Sequence, residues 1–195
     1  MKFFGWFSKK QSDPSTASWN LEDFENSLNL AEHGDAEAQA RLIIYYAGSN
    51  GIERNVPEML KWCFSSAELG HRYAQWQLGH FYETGLLPEI PKDLSLALKH
   101  YAIAAEKGSC VAQWSLARMF RDGLGVSQNF VLAFMWCYVS AQTDCDGWSL
   151  SLQELEVIRS QMTPIQVHEA EFLARQFLTK HPDQAVKHFS RIGSR

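Results

Sequence analysis

The side chains best suited to chemistry are seven histidines and four cysteines, but their spacing excludes the common sites built from them. Helical zinc sites place two histidines four residues apart, and no two histidines of this chain have that spacing. No two cysteines form a C-x-x-C motif, and no serine lies in a G-x-S-x-G motif that could present a nucleophile. The sequence therefore predicts no metal, no cofactor and no catalytic residue, and hence a protein that is not an enzyme.

Two tryptophans are stronger candidates for binding, because tryptophan is a preferred anchor in protein interfaces. Trp76 and Trp114 are 38 residues apart, and each directly follows a glutamine, Gln75 or Gln113. The two indoles either pack between neighbouring structural units or form an aromatic ridge on a peptide-binding surface. The residues alone leave both interpretations open.

A recurring phrase indicates which elements position these side chains. The phrase Ala-Glu-x-Gly occurs at residues 31–34, 67–70 and 105–108, which gives periods of 36 and 38 residues. An aromatic residue follows each glycine by twelve positions. The second unit has two additional residues within 85–91, where glycine and proline indicate a loop. A period of about 20 to 50 residues indicates stacked supersecondary units.

Each unit has the pattern of two α-helices. In the second unit, Ala74, Leu78 and Tyr82 follow one another at intervals of four, which places them on one helix face. The glycine of each phrase follows an apolar periodic run, as is typical of the left-handed residue that ends a helix. After the third unit, residues 163–166 (Thr-Pro-Ile-Gln) have the pattern of a capping box. The helix that it begins is predicted to bury Ile165, Ala170, Leu173 and Phe177.

Composition and charge narrow the possible partners. Apolar residues make up 46% of the chain, and no segment approaches the roughly 20 apolar residues that span a bilayer. Residues 1–17 and 181–195 each carry a net charge of +2, so residues 18–180 carry −8 although the whole chain carries only −4. An acidic body lacks the clustered lysines and arginines that bind phosphates, so no nucleic-acid partner is expected.

The repeated residues resemble the Sel-one-like repeat (SLR) family, which is related to the tetratricopeptide repeats. The resemblance covers about residues 31–141 and rests on Ala-x-x-Gly, Ala-Gln-x-x-Leu-Gly-x-x-Tyr, Gly-x-Gly-Val and Ala-x-x-Trp. The third unit has the loop motif intact at residues 122–126, and the second unit has the Leu-Gly pair at residues 78–79. The family implies an all-α fold, a right-handed α-α superhelix. Here it would be a solenoid of about three two-helix repeats with helical caps at both ends.

The repeat also predicts how the chain is divided. The two C-terminal helices resemble the end segment that many bacterial members carry. The expected parts are a flexible N-terminal segment (1–17), an N-terminal capping helix (18–33), repeat 1 (34–69), repeat 2 (70–107), repeat 3 (108–143), C-terminal capping helices (144–180) and a flexible tail (181–195).

Two of the cysteines occupy equivalent repeat positions. Cys63 and Cys137 are 74 residues apart, which is two units, or about 20 Å in a helical stack. A disulfide needs Cα atoms within about 7 Å, so both are predicted to be small buried hydrophobic residues. Cys110 and Cys145 lack the spacing of the cysteine-rich branch of the family, in which each repeat has a disulfide. An oxidised, secreted protein is therefore not expected.

The family resembles a set of adaptors and assembly factors, so the resemblance implies a non-enzymatic adaptor that binds a partner protein or peptide. In tetratricopeptide relatives the first helices of the units line the concave face, which implies a groove there. The predicted partner-binding residues are Arg41, Tyr45, Trp76, Gln77, His80, Glu83, Trp114, Arg118 and Arg121.

The N-terminal segment suggests an alternative, a membrane-proximal assembly or regulatory factor. Phe3, Phe4, Trp6 and Phe7 are followed by two lysines, a combination that suits weak contact with a membrane surface. The run is too short for the apolar region of a secretory signal. A cytoplasmic protein is expected, with peripheral attachment to the cytoplasmic membrane as the alternative.

Overall fold

In a computed structural model of the chain, all the regular elements of the described residues are helical. The structure describes residues 21–48, 52–142 and 148–184. The expected fold class is confirmed, because consecutive helix pairs pack as a repeat solenoid. The chain divides into two compact units, Met1–Trp62 and Cys63–Arg195. From here on these are called the first and the second unit, and the repeated segments are called repeats.

Nine α-helices and one short 3₁₀ turn, Pro182–Gln184, form the described part of the chain. The longest of these helices has 17 residues, and none combines the length and apolar character needed to cross a membrane. In chain order they are α1 (Leu21–Glu32), α2 (Ala36–Tyr46), α3 (Val56–Glu68), α4 (Arg72–Thr84), α5 (Leu94–Glu106), α6 (Cys110–Asp122), α7 (Phe130–Gln142), α8 (Trp148–Arg159) and α9 (Pro164–Lys180).

In the first unit, α1 packs against α2. Asp35 begins α2 as an N-cap residue, because its carboxylate accepts a hydrogen bond from the backbone N–H of Ala38 at 2.7 Å. The ring of Phe24 on α1 meets the rings of Tyr45 and Tyr46 on α2 edge-on, with centroids 5.4 and 5.7 Å apart. Edge-to-face contacts of this kind fix the two helices against each other.

In the second unit, each helix from α4 to α7 packs on the next, and α7 contacts both α8 and α9. Tyr101, Leu116 and Met119 are fully buried between α5 and α6. Ile158 of α8 and Ala174 of α9 are fully buried in the cluster around α7. The predicted C-terminal helices therefore cover the last repeat as a further helix pair.

A buried glutamine joins each first helix to the phrase Ala-Glu-x-Gly. Its side-chain amide donates to the backbone carbonyl of the phrase's alanine, in the last turn of the preceding helix, where carbonyls lack helical partners. The glycines at positions 34, 70 and 108 have φ angles of 88°, 79° and 79°, which confirms the predicted left-handed helix ends. The amide bonds join Gln39 to Ala31 (3.0 Å), Gln75 to Ala67 (2.7 Å) and Gln113 to Ala105 (3.1 Å).

The capping box predicted at the start of α9 is confirmed. The hydroxyl of Thr163 accepts a hydrogen bond from the backbone N–H of Gln166 at 3.3 Å. The side chain of Gln166 in return accepts one from the backbone N–H of Thr163 at 2.9 Å, and Pro164 is the first helical residue. These bonds depend only on neighbouring residues, which is why the sequence predicts them.

The predicted burial of Ile165 is wrong, since 81% of this residue is exposed. α9 buries Ala170, Ala174 and Leu178. Ile165 is five residues from Ala170, which at about 100° per residue turns it about 140° away from the buried side. The predicted set mixed two faces of the helix.

The cysteines fall into two classes. Cys63 and Cys137 are fully buried reduced thiols, as predicted. Burial raises the pKa of the Cys137 thiol to about 12. Burial also raises the pKa of the Cys63 thiol well above its ordinary value. Cys110 is disulfide-bonded, a bond that the sequence analysis did not predict. The remaining cysteine, Cys145, is outside the described residues.

Candidate functional site

Glu83, near the end of α4, joins three helices of the second unit. One carboxylate oxygen accepts a hydrogen bond from Nη2 of Arg118 on α6. The other accepts one from the hydroxyl of Tyr101 on α5 at 2.7 Å. The side chains of Glu83 and Arg118 are only 13% and 27% exposed. Because water screens this pair poorly, it is stronger than an ion pair on the open surface.

Arg121, one turn further along α6, forms a second charged contact. Its Nε and Nη2 atoms each donate to the carboxylate of Asp122 at 2.7 Å, and Nη1 donates to Glu154 on α8. Ion pairs therefore connect α4 to α6 and α6 to α8, and we call Glu83, Arg118, Arg121 and Glu154 the ion-pair row. The sequence reasoning missed Glu154, because α8 follows the last repeat and has no repeat register to place it.

The two tryptophans of the repeat have matching surroundings. The imidazole of His80 stacks on Trp76, with ring centroids 5.9 Å apart and an interplanar angle of 13°. The guanidinium of Arg118 lies 5.8 Å from the ring centroid of Trp114. Both partners are four residues further along the same helix, so α4 and α6 each present a tryptophan beside a planar nitrogen group. Both indoles are half-buried.

Gln77 differs from the other predicted binding residues of the second unit. It is 8% exposed, so its amide is not open to a partner. The next residue after Trp76 on a helix points about 100° away from it, which here is toward the interior. The other predicted residues of the second unit are all partly exposed: Trp76, His80, Glu83, Trp114, Arg118 and Arg121.

The remaining two predicted residues, Arg41 and Tyr45, belong to the first unit. The side chain of Arg41 is 55% exposed, and its Nε atom lies 3.8 Å from Glu37 on the same helix. Tyr45 is half-buried against Phe24. Burial raises the pKa of the Tyr45 hydroxyl, and the nearby Asp23 raises it further. Arg41 is therefore a largely exposed cation in a weak ion pair, whereas Tyr45 serves mainly in packing.

The charges of the second unit alter the protonation of their neighbours. Burial lowers the pKa of His80, although Glu83 acts in the opposite direction, and Arg118 lowers it further. The hydrogen bonds from Arg121 lower the pKa of the Asp122 carboxyl. At neutral pH the candidate site therefore combines the neutral imidazole of His80 with the ion pairs of Arg118 and Arg121.

Acidification is expected to destabilise the second unit through His80. Above its ordinary pKa of 6.5 the imidazole is neutral in the folded and unfolded chains, so it contributes no pH dependence. Below that pH the unfolded chain binds a proton that the buried site resists. The free energy of unfolding should therefore fall between about pH 7.5 and about pH 5.5, as chemical denaturation at both values would measure.

The variant His80→Gln should reduce this pH dependence without removing it. His100 also has a lowered pKa, because of burial and then the nearby Lys99, so it retains part of the effect. The exposed His168 provides the matched control, His168→Gln. If the free energy of unfolding of His80→Gln depends on pH as strongly as that of the wild type, His80 is not the source of the effect.

In residues 21–48, 52–142 and 148–184, no three histidine, cysteine, aspartate or glutamate side chains gather where they could hold a metal ion. The acids and bases of the ion-pair row neutralise one another. The N-terminal residues Phe3, Phe4, Trp6 and Phe7 lie outside the described residues.

Comparison with known proteins gives a consistent result. The family model described as "Sel1 repeat" matches residues 36–71, 72–109 and 110–142. "Protein sel-1 homolog 2" of Rattus norvegicus is 34% identical over 125 residues, which are 60% of this chain but only 18% of that protein.

Two solved structures share the fold. The first is c5321, a protective antigen of uropathogenic Escherichia coli with an SLR fold, which has a TM-score of 0.73 and 28% identity. That match covers 85% of this chain and 35% of c5321. The second is a Sel1 repeat protein from Oxalobacter formigenes, with a TM-score of 0.63 and 32% identity over 70% of this chain and 99% of that one.

Proposed function

The chain belongs to the Sel1 repeat family, and from this premise we propose that it is a non-enzymatic adaptor that binds a partner protein or peptide on the concave face. Sel1 repeat proteins act as protein-interaction scaffolds. The observation that supports a site on this chain is the ion-pair row, which connects α4, α6 and α8 beside two tryptophans.

The geometry of this face favours an elongated partner. Neighbouring packed helices are about 10 Å apart, so a segment that contacts α4, α6 and α8 must extend about 20 Å. An extended strand covers that length with about six residues and a helix with about thirteen. Either a short peptide or one helix of a partner would therefore be sufficient.

The ion pairs contribute to binding by holding the face in one conformation. Arg118 is fixed by Glu83 on one side and by the ring of Trp114 on another. Arg121 is fixed by Asp122 and Glu154. Side chains that are already ordered lose little entropy when a partner arrives, which strengthens association.

We expect the double variant Glu83→Gln with Arg118→Gln to capture the partner at least about tenfold more weakly than the wild type. Two amides can replace the ion pair and still accept the Tyr101 hydroxyl, so no buried charge loses its partner. Crosslinking in the native cell followed by quantitative mass spectrometry measures the capture.

The matched control for this experiment is Lys99→Ala, which removes an exposed charge from the second helix of the same repeat. Thermal unfolding of both variants should stay close to that of the wild type. If the folded double variant captures the partner as well as Lys99→Ala does, the proposed face is not the binding surface.

The disulfide at Cys110 bears on where the adaptor acts. Disulfides persist in oxidising compartments and are rare in the cytoplasm. This bond therefore favours an oxidising compartment over the cytoplasmic location expected from the sequence.

A further inference from the structure

Two buried polar atoms of the first unit have no hydrogen-bond partner in the part of the chain that the structure describes. They are Oε1 of Gln39 on α2 and Nε1 of Trp62 on α3, in residues that are only 3% and 5% exposed. Where no protein group satisfies a buried polar atom, an ordered water molecule commonly does. The indole nitrogen can only donate a hydrogen bond and the amide oxygen can only accept one, so the two are complementary.

The helices that carry these two residues are joined in the same way as the helices of the next repeat. In repeat 1 the backbone N–H of Asn55, just before α3, donates to the carbonyl of Tyr46 at 2.9 Å. In repeat 2 the backbone N–H of Asp93, just before α5, donates to the carbonyl of Tyr82 at 2.8 Å. From this joining bond the second helix of each repeat returns along the first. Positions equally far from the bond on the two helices therefore lie side by side.

In repeat 2, the side chains two turns from the joining bond are hydrogen-bonded directly. Gln75 lies seven residues before the bond and His100 seven residues after it, and Nδ1 of His100 donates to Oε1 of Gln75 at 2.8 Å. Gln39 and Trp62 lie at the same distances from the joining bond of repeat 1. Their side chains therefore face each other.

The amide of Gln39 also has the orientation of the Gln75 amide. Both Nε2 atoms donate to the alanine of the preceding Ala-Glu-x-Gly phrase, so both Oε1 atoms point toward the second helix of their repeat. The nitrogen of an indole lies one bond further from Cβ than Nδ1 of an imidazole, so Trp62 does not place its N–H where His100 does. The donor and the acceptor of repeat 1 therefore lie opposite each other without a direct bond.

We propose that one buried water molecule joins α2 to α3, accepting a hydrogen bond from Nε1 of Trp62 and donating one to Oε1 of Gln39. A buried water needs about two to four polar partners, and one donor with one acceptor meets that need. Both protein atoms are uncharged, which favours water over an ion. Because the amide of Gln39 also donates to Ala31 at 3.0 Å, the water extends to α3 the hydrogen bonds that connect α1 with α2.

Nuclear Overhauser spectra of the ¹⁵N-labelled 195-residue chain test the site. The chain has seven tryptophans, and Trp62→Phe identifies the indole N–H signal of Trp62 by removing it. In the wild type this proton should show a cross-peak to a water that tumbles with the protein, and rotating-frame spectra separate that signal from proton exchange. If the wild type has no such cross-peak at Trp62, the proposal is overturned.

Two matched variants test whether Gln39 holds the water. Gln39→Leu removes the proposed acceptor, so the cross-peak at Trp62 should be lost. Gln75→Leu removes the equivalent amide of repeat 2 and should leave that cross-peak unchanged. Circular dichroism checks that both variants keep the wild-type helix content. A cross-peak that persists in folded Gln39→Leu would show that the water is not bound as proposed.

A crystal structure of the wild type gives a reading that does not depend on any variant. A water within about 3.2 Å of both Nε1 of Trp62 and Oε1 of Gln39 supports the proposal. A direct bond between these two atoms, or a site without water, overturns it. The ion-pair row takes no part in this site, so either result leaves the proposed adaptor function unaffected.

Discussion

Replacing Gly125 with alanine is expected to lower the free energy of unfolding of the second unit by about 3 kcal/mol. Gly125 has a φ angle of +70°, a conformation in which a side chain is strained. A Cβ atom there would also lie 2.6 Å from Cβ of Leu94 and 2.9 Å from its carbonyl carbon and oxygen. Because backbone atoms cannot turn aside like a side chain, the alanine would displace the first turn of α5.

Gly123→Ala provides the matched control for this prediction. Gly123 has nearly the same φ angle, +69°, but its Cβ atom would have no neighbour closer than 3.5 Å. The free energy of unfolding of Gly123→Ala should therefore fall by only about 1 kcal/mol, which is the cost of placing alanine in a left-handed backbone conformation. Urea denaturation of both variants measures the difference of about 2 kcal/mol. Equal losses in the two variants would show that the contact with Leu94 is not a constraint.

This comparison explains the Gly-x-Gly loop motif that the sequence presents at residues 122–126. The sequence predicts a loop there because glycine is common where the chain turns. It does not reveal that the second glycine touches the preceding repeat. The helix ends and the capping box of α9 depend only on adjacent residues, so the sequence predicts them. The contact of Gly125 joins two repeats, so the sequence does not predict it.

The contacts of the candidate site were harder to predict than its members. In the repeat register Glu83 is equivalent to Arg121, and His80 is equivalent to Arg118. The observed pair joins Glu83 to Arg118, so the contact runs diagonally between different positions of neighbouring repeats. A repeat alignment shows which residues share a position, but not how far one helix is shifted along the next. Only the packed structure supplies that shift.

Residues outside the repeat show a second limit. Glu154, which binds Arg121, has no equivalent in the three repeats from which the repeat register was derived. The exposed side of Ile165 depends on which face of α9 meets α7, and both faces carry apolar residues. Periodicity identifies an apolar stripe only where the other side of the helix is polar, so the buried side of α9 could not be chosen from the sequence.

Replacing Glu83 with alanine is expected to lower the free energy of unfolding by about 2–4 kcal/mol. The change leaves two groups without their partner, the 27% exposed guanidinium of Arg118 and the hydroxyl of the almost fully buried Tyr101. Arg118 is partly open to water, which places the expected loss below that of a fully buried charge. Thermal and urea unfolding followed by circular dichroism measure it.

Glu171→Ala is the control for a generic loss of one carboxylate. Glu171 pairs with Arg175 at 3.6 Å, and that arginine is 63% exposed, so the variant should lose no more than about 0.5 kcal/mol. A loss in Glu83→Ala as small as in Glu171→Ala would mean that water replaces the carboxylate at both Arg118 and Tyr101.

The double variant Glu83→Gln with Arg118→Gln separates two explanations of the large loss. If the attraction between opposite charges is the main contribution, removing both charges should destabilise the unit about as much as Glu83→Ala. If the main cost is an unpaired cation, the double variant should lie within about 1 kcal/mol of the wild type, because no ion remains to be solvated. We expect the second result, since Arg118 is three-quarters covered and its unpaired charge would be poorly hydrated. In that case the ion pair is replaceable for stability, and any loss of partner binding in the same variant measures recognition by the face.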